Sequence, residues 1–157
     1  RRQMLVGGYD SVTIRSVASS CDIAVGTVYN YFRSKDYLVA CVMLDDWNTL
    51  VRKTKTEIKD KDPEEGIEML FKMISDFSRK YGHVWSEYRL SSKKETFGED
   101  YRKRLVDQIR EMMEMLVDKP GKEKGLSDFL ADLLLRFASD GYTEYKDIKP
   151  FMEKLLS

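Results

Sequence analysis

This sequence of 157 residues contains few cysteines and histidines, and its formal net charge is zero. It holds two cysteines and one histidine, whereas a structural zinc site usually takes about four such ligands at close spacing. Neither a metal nor another cofactor is therefore expected. Its 27 basic residues balance 27 acidic ones, so the bulk charge is not that of a general nucleic-acid coat, which would be strongly basic.

Long apolar runs and secretion signals are missing as well. No stretch reaches the length of a membrane-spanning helix, and no signal-peptide pattern is visible. We therefore expect a cytoplasmic protein without a membrane partner. Cys21 and Cys41 lie at apolar helical positions and are predicted to be small core residues in a reducing compartment. The chain begins with Arg1 rather than methionine, and we expect the start of its first helix to precede this residue.

Glycine and proline are also few, with nine and three residues, while Leu, Lys, Glu and Met dominate the second half. This bias favours helix over sheet. No alternating strand pattern and no internal repeat is present. The sequence therefore predicts an all-α protein.

The first fifty residues contain the pattern of a helix-turn-helix. A helix over residues 1–6 is stopped by Gly7-Gly8. Thr13 is a good N-cap for a second helix, and Asp22 tolerates the left-handed conformation that a tight turn needs. A third helix runs from about Val25 to Tyr31. Two short helices on a three-residue turn form this DNA-binding motif, and Ser34 is predicted to cap a longer helix that starts at Lys35.

Helical spacing continues to the end of the chain. One helix is predicted over residues 35–59, and another begins at Asp62-Pro63 and ends at Gly82, with His83 at a helix junction. Further helices are predicted around residues 84–88, over 105–116 up to Lys119-Pro120-Gly121, over about 127–140 opening at Ser127, and over about 147–156.

The helix-turn-helix region resembles the TetR family of bacterial transcriptional regulators. Four stretches carry the resemblance at the family's spacing: Gly8-Tyr9-Asp10-Ser11-Val12-Thr13-Ile14-Arg15, Val17-Ala18, Gly26-Thr27-Val28-Tyr29-Asn30-Tyr31-Phe32 and Ser34-Lys35-Asp36-Tyr37-Leu38. The resemblance implies a three-helix DNA-binding domain over residues 1–46. It also implies a larger helical domain over residues 47–157 for effector binding and dimerisation.

The resemblance also implies roles for nine residues on double-stranded operator DNA. Positions that match Thr13, Thr27, Tyr31 and Lys35 contact phosphates in the family, and positions that match Arg15, Val25, Gly26, Tyr29 and Asn30 face bases. The chain departs from the family at Ala24, where serine is usual, and at Val25, where a polar or basic residue is common. Both departures remove hydrogen-bonding groups, and with the neutral charge they predict modest affinity with a shallow salt dependence.

The larger domain offers weaker signals. Methionine and aromatic residues suit an adaptable pocket for an apolar or aromatic effector; the candidates are Met73, Phe77, Trp85, Tyr88, Met112 and Met113. For any single one of them a core position is the better interpretation, and Trp85 and Tyr88 are the main exceptions because each carries a polar atom that needs a partner when buried. The helix over 127–140 is apolar on more sides than one protomer readily covers. With the terminal helix, about 147–156, it is predicted to form the four-helix bundle of a homodimer.

Two other classes of protein remain open. Ala24, Val25 and the charge balance allow a protein-binding adaptor that has kept this fold and lost operator recognition. An enzyme is disfavoured, because the sequence shows no nucleophile-base spacing and no Gly-rich phosphate loop; no catalytic residue is assigned.

Overall fold

The protein is all-α over the ranges that its computed structural model describes, residues 1–91, 97–117 and 125–156. This confirms the predicted fold class. Within these ranges no helix is long and apolar enough to cross a membrane. The helices are α1 (Arg2–Gly7), α2 (Ile14–Ser20), α3 (Val25–Tyr31), α4 (Lys35–Ile58), α5 (Pro63–Ser91), α6 (Phe97–Val117), α7 (Leu126–Ala138) and α8 (Tyr145–Leu156).

The chain divides into two compact units. The first unit consists of Arg1–Trp47 and Lys80–Tyr101, and the second of Asn48–Arg79 and Arg102–Ser157. The carboxy-terminal part of α5 thus belongs to the same unit as the three short helices, whereas the sequence expectation divided the chain once, after residue 46.

The helix-turn-helix has the predicted local chemistry. Thr13 caps α2 in a capping box: its Oγ1 accepts the Ser16 N–H at 2.9 Å, and the Ser16 hydroxyl accepts the Thr13 N–H at 3.1 Å. The turn after α2 contains Asp22 at a φ of 54°, the left-handed conformation expected of it. α2 packs against α3, with Ala18 and Val28 buried.

α5 continues through Gly82 to Ser91, so the predicted helix end at Gly82 is wrong. Glycine costs about 1 kcal/mol in a helix interior, but buried Tyr81, Val84 and Tyr88 keep the helical period across it. Their burial outweighs that cost. His83 is consequently an exposed residue within α5 rather than a junction residue.

The last helices begin earlier than the sequence suggested. α7 starts at Leu126, and its N-cap residue is Gly125, which has a φ of 110°. Ser127 therefore lies in the first turn and does not open the helix. α8 starts at Tyr145, where the Asp147 carboxylate accepts the Glu144 N–H at 2.9 Å. The predicted stop at Lys119-Pro120-Gly121 lies outside the described residues.

The second unit has a continuous apolar core. Its fully buried side chains come from five helices: Ile58, Ile67, Leu70, Ile74, Ile109, Met112, Met113, Leu130, Leu134 and Met152. Ion pairs lie at its surface, with Lys55 Nζ 2.6 Å from Glu111 Oε1 and with Arg110 paired to Asp128. Such exposed pairs contribute about 1 kcal/mol or less each, so apolar burial dominates the stability of this unit.

The cysteines are not the core residues that the sequence predicted. Cys21 is exposed and Cys41 is half-buried, and both are free thiols. Cys21 follows the last residue of α2 and serves as its C-cap. Cys21 therefore continues the apolar spacing of α2 but lies beyond the part of that helix that packs against α3.

Candidate nucleic-acid interface

α3 presents one apolar side chain to the core and a row of others to solvent. Val28 is buried at 3% exposure, whereas Tyr29 is 54% and Tyr31 74% exposed. Gly26 and Asn30 are exposed as well, and Thr27 is half-buried. A helix with this division can enter a major groove without disturbing its own packing.

The amino terminus of α3 lacks a side-chain cap. Ala24 occupies the N-cap position in an extended conformation, with a φ of −67° and a ψ of 144°, and makes no side-chain cap hydrogen bond. Its carbonyl oxygen accepts the Thr27 N–H at 2.9 Å. Val25, next to it, is exposed and offers only methyl groups, which could contact a thymine methyl. Both departures from the family pattern therefore carry the chemical consequence expected from the sequence.

α2 contributes Thr13 and Arg15 to the exposed surface. The capping box uses the Thr13 oxygen as an acceptor, which leaves the hydroxyl proton for an external acceptor such as a phosphate oxygen. Arg15 lies in the first turn, and its guanidinium can reach a guanine edge in two parallel hydrogen bonds.

Lys35 points back toward the loop between α1 and α2. Its Nζ lies 3.8 Å from the centroid of the Tyr9 ring and 3.7 Å from Asp10 Oδ1. The side chain is about a quarter exposed. Lys35 is thus engaged by a cation–π contact and a weak ion pair within the first unit.

Tyr9 anchors this loop and was not singled out from the sequence. Its hydroxyl donates to the Asp36 carboxylate, and its N–H donates to Glu87 Oε2 at 2.6 Å. Burial, followed by the hydrogen bond to Asp36, raises the pKa of Tyr9 well above its ordinary value. The hydroxyl therefore stays protonated and remains a donor.

Gly8 permits the close approach of Glu87. It has a φ of 72° and a ψ of −176°, a region that is essentially restricted to glycine. A Cβ at this position would lie 2.5 Å from Glu87 Oε2. Gly8 and Glu87 together tie α5 to the start of the helix-turn-helix, and no local sequence pattern connects residues so far apart along the chain.

Asp46 forms a second link within the first unit. Its carboxylate accepts from Arg1 Nε at 2.6 Å, from Lys80 Nζ at 2.7 Å and from the Tyr81 hydroxyl. Burial raises the pKa of Asp46, but the hydrogen bonds from Lys80 and Tyr81 and the nearby positive charges outweigh it, so that the pKa is lowered overall. One carboxylate thereby joins α1, α4 and α5.

The six candidate effector residues fall in different units. Trp85 and Tyr88 belong to the first unit, and Met73, Phe77, Met112 and Met113 belong to the second. Trp85 is half-buried, and the other five are buried. Among the described residues, no group of three or more His, Cys, Asp or Glu side chains is arranged to hold a metal ion.

An aromatic cluster surrounds Trp85 in the first unit. The ring centroids of Trp85 and Tyr88 are 5.4 Å apart in a stacked arrangement, and Tyr101 lies 5.3 Å from Trp85 on a tilted plane. Burial raises the pKa of Tyr101. Its hydroxyl has no hydrogen-bond partner in the part of the chain that the structure describes. Tyr101 was missed in the sequence, although it lies one helical turn before the predicted apolar position Leu105.

Residues 1–42 match the family described as "Bacterial regulatory proteins, tetR family". These residues contain α1, α2, α3 and the beginning of α4. They include all nine positions that the sequence resemblance assigned to DNA.

Curated relatives match the same end of the chain. The HTH-type transcriptional repressor KstR of Rhodococcus jostii is 32% identical over 69 residues, which are 44% of this chain and 32% of that protein. KstR of Mycobacterium tuberculosis is 42% identical over 48 residues, 31% of this chain and 22% of that protein. The matched stretches thus span about a third or less of the length of these relatives.

Solved structures share the fold along almost the whole chain. The transcriptional regulator FadR from Bacillus subtilis, in complex with stearoyl-CoA, has a TM-score of 0.64 at 13% identity and covers 99% of this chain and 93% of its own. A putative fatty acid metabolism regulator from Clostridium perfringens has a TM-score of 0.57 at 20% identity and covers 99% and 92%. At such identities the likeness concerns the fold alone.

Proposed function

We propose that this chain, whose residues 1–42 match the tetR family of bacterial regulatory proteins, is a regulator of that family and represses transcription by binding operator DNA as a homodimer in the cytoplasm. The division of α3 between buried Val28 and exposed Gly26, Tyr29 and Asn30 carries this proposal. α3 is the recognition helix, and the exposed residues of α2 and the segment around the start of α4 supply contacts to the backbone.

A small set of side chains recognises the DNA sequence in this proposal. Arg15 contacts a guanine edge, Asn30 an adenine, and Val25 a thymine methyl. Gly26 has no side chain to keep the helix away from the bases, and no atom of the described residues lies within 4 Å of the position that its Cβ would take. Because few polar groups face the bases, we expect binding of modest affinity.

A second copy of the chain covers the exposed apolar side chains of the last two helices. Phe129 on α7 is 55% exposed, and Phe151 and Leu155 on α8 are 65% and 39% exposed. Exposed large apolar groups at this density favour an interface between copies. Two protomers would then place two recognition helices on half-sites about one turn of DNA apart.

A small apolar or aromatic effector regulates the binding. In this proposal Met73, Phe77, Met112 and Met113 of the second unit supply the contacts, and the effector changes the separation of the two recognition helices. Stearoyl-CoA is the first probe, because a protein of the same fold is found in complex with it. Free CoA is the matched control without the acyl chain. If stearoyl-CoA releases the protein from DNA and free CoA does not, an apolar effector is supported. If the two compounds release it equally, an apolar effector is contradicted.

Fluorescence anisotropy on the gene's own upstream region tests the DNA-binding proposal. The full-length protein should bind this duplex more tightly than a scrambled duplex of the same length. Tyr29→Ala and Asn30→Ala should each weaken specific binding by about 10-fold, as expected for loss of 1–3 kcal/mol of base contacts. Arg79→Ala, which removes an exposed arginine of the second unit paired to Asp76, is the control. Absence of specific binding would overturn the proposal.

The alternative of a protein-binding adaptor keeps one supporting observation. Ala24 and Val25 deprive the amino terminus of α3 of polar side chains. Pull-down of a stoichiometric protein partner, unaffected by Tyr29→Ala and Lys35→Ala, would favour the adaptor over the regulator.

A further inference from the structure

Two of the five positive charges of the first fifty residues are engaged within the protein. This region has five basic residues, Arg1, Arg2, Arg15, Arg33 and Lys35. Arg1 is bound by Asp45 and Asp46. Lys35 is turned toward Tyr9 and Asp10. Fewer basic side chains are therefore available to DNA phosphates than the sequence indicates.

Arg33 is not committed in this way. It is exposed, and it forms no ion pair within the ranges that the structure describes. It lies two residues after Tyr31 and two residues before Lys35, so its Cα is within about 7 Å of both. The family resemblance assigns both of these neighbours to phosphate contacts. Arg33 thus stands in the middle of the predicted backbone-contacting segment.

Tyr37 holds the Arg33 side chain in place. The guanidinium carbon lies 5.1 Å from the centroid of the Tyr37 ring. Phe32 packs against the same ring at a centroid distance of 6.4 Å, and the Tyr37 N–H donates to Ser34 Oγ at 3.1 Å. A guanidinium stacked on a fixed ring loses less side-chain freedom when it binds an anion.

We propose that Arg33, stacked on Tyr37, binds a phosphate of the DNA backbone and supplies an electrostatic contact that the engagement of Lys35 with Tyr9 and Asp10 withholds. This inference rests on the proposed function. The guanidinium can donate two parallel hydrogen bonds to one phosphate while its flat face stays on Tyr37. The contact is to phosphate rather than to a base, so it adds affinity on any DNA sequence.

The salt dependence of DNA binding by full-length Arg33→Ala tests the inference. Each lost phosphate contact lowers the slope of log K against log salt by about 0.9 and lowers the affinity by roughly tenfold at 0.1 M salt. We expect this loss once for each Arg33 on the duplex. It should be equal on the upstream region and on a scrambled duplex, because phosphates carry no sequence information.

Further variants separate charge from packing. Arg33→Lys should keep the slope and lose about two- to fivefold in affinity, as a phosphate contact without bidentate geometry. Tyr37→Leu should also keep the slope and lose a similar factor, whereas Tyr37→Phe should bind like the wild type. Arg33→Gln removes the charge with little change in length and replaces Arg33→Ala if that variant fails to fold. Lys53→Ala, which removes an exposed cation of the second unit, is the charge control.

The outcomes distinguish this inference from the proposed function. If the wild-type protein binds neither duplex, the proposed function fails and this inference with it. If the wild type binds specifically and Arg33→Ala keeps its slope and affinity, the inference alone is wrong. A loss confined to the upstream duplex would also contradict it, because it would identify Arg33 as a base-reading residue.

Discussion

Single residues determine how well the amino terminus of α3 is capped and how much unpaired positive charge lies in the first unit. Ala24 leaves the amino terminus of α3 without a side-chain acceptor. Arg1 and Lys35 form ion pairs with carboxylates of the same unit, Asp46 and Asp10 respectively. The modest affinity expected from the sequence therefore has specific structural contributors.

Ala24→Ser should restore the missing cap. The backbone of residue 24 already has the extended conformation of an N-cap, so a serine hydroxyl can accept the Gly26 N–H, or share the Thr27 N–H with the carbonyl oxygen of residue 24. We expect the free energy of unfolding to rise by about 1 kcal/mol, measured by urea denaturation. Ala24→Val, which supplies no side-chain acceptor and is as poor an N-cap residue as alanine, is the control. An unchanged stability for the serine variant would show that the cap position is already satisfied in another way.

At the scale of elements, α5 is where packing overrides a local signal. It contains two glycines in opposite surroundings. Gly66 is buried, and a Cβ there would clash with Leu116 Cδ2, whereas no atom of the residues that the structure describes lies within 4 Å of the corresponding point at Gly82. Gly66 therefore allows α6 to approach α5, and Gly82 has no such role.

The two alanine variants of α5 should change stability in opposite directions. Gly82→Ala should raise the free energy of unfolding by about 0.5–1 kcal/mol, because alanine restricts the unfolded chain and suits a helix. Gly66→Ala should lower it by about 1–3 kcal/mol through overpacking against Leu116. Thermal and urea unfolding of both variants measures this. A destabilised Gly82→Ala would indicate that α5 must break or bend at this residue.

The Asp46 network predicts a loss of stability in acid. A carboxyl whose pKa is lower in the folded protein than its ordinary value of 3.8 stabilises the fold above that value, and this stabilisation is lost as the pH falls through the folded pKa. Asp46→Asn should therefore be less stable than the wild type at pH 7 and should lose less stability on acidification. Urea unfolding between pH 7 and about pH 3 measures both, with exposed Asp60→Asn as the control. Parallel pH profiles for wild type and Asp46→Asn would contradict this role.

At the scale of the whole molecule, the proposed regulator needs the exposed side chains of α7 and α8 to bring two protomers together on two half-sites. Each protomer alone offers one recognition helix with few polar contacts. Joining two such helices raises the effective affinity by about 10²–10⁴ without any new contact to DNA. In the proposed function, dimer assembly is therefore itself a source of DNA affinity.

Phe151→Glu should give a monomer. A carboxylate in the centre of an apolar interface would be desolvated without a partner, and analytical ultracentrifugation would detect the loss of the dimer. The affinity for the upstream duplex should fall by about 100-fold or more, while the helical content stays unchanged. Tyr142→Glu, a change at an exposed aromatic residue outside both helices, should have neither effect. A Phe151→Glu protein that remains dimeric would place the interface elsewhere.

Local signals in the sequence determined the helix-turn-helix almost to the residue. The Thr13 cap, the left-handed Asp22 and the bounds of α3 depend on neighbours a few positions away, so they can be read along the chain. The buried position of Val28 follows from the helical period alone. The all-α class rests on the same short-range preferences.

Only the tertiary structure decided which long-range partners override those preferences. α5 passes through Gly82 because Tyr81, Val84 and Tyr88 are buried on either side of it. Lys35 lies over the ring of Tyr9 because Tyr9 is held in place by Asp36 and Glu87. Arg33 remains available because no carboxylate of the described residues forms an ion pair with it. Residue type and spacing encode none of these choices, since each depends on groups that only the folded chain brings within a few ångströms.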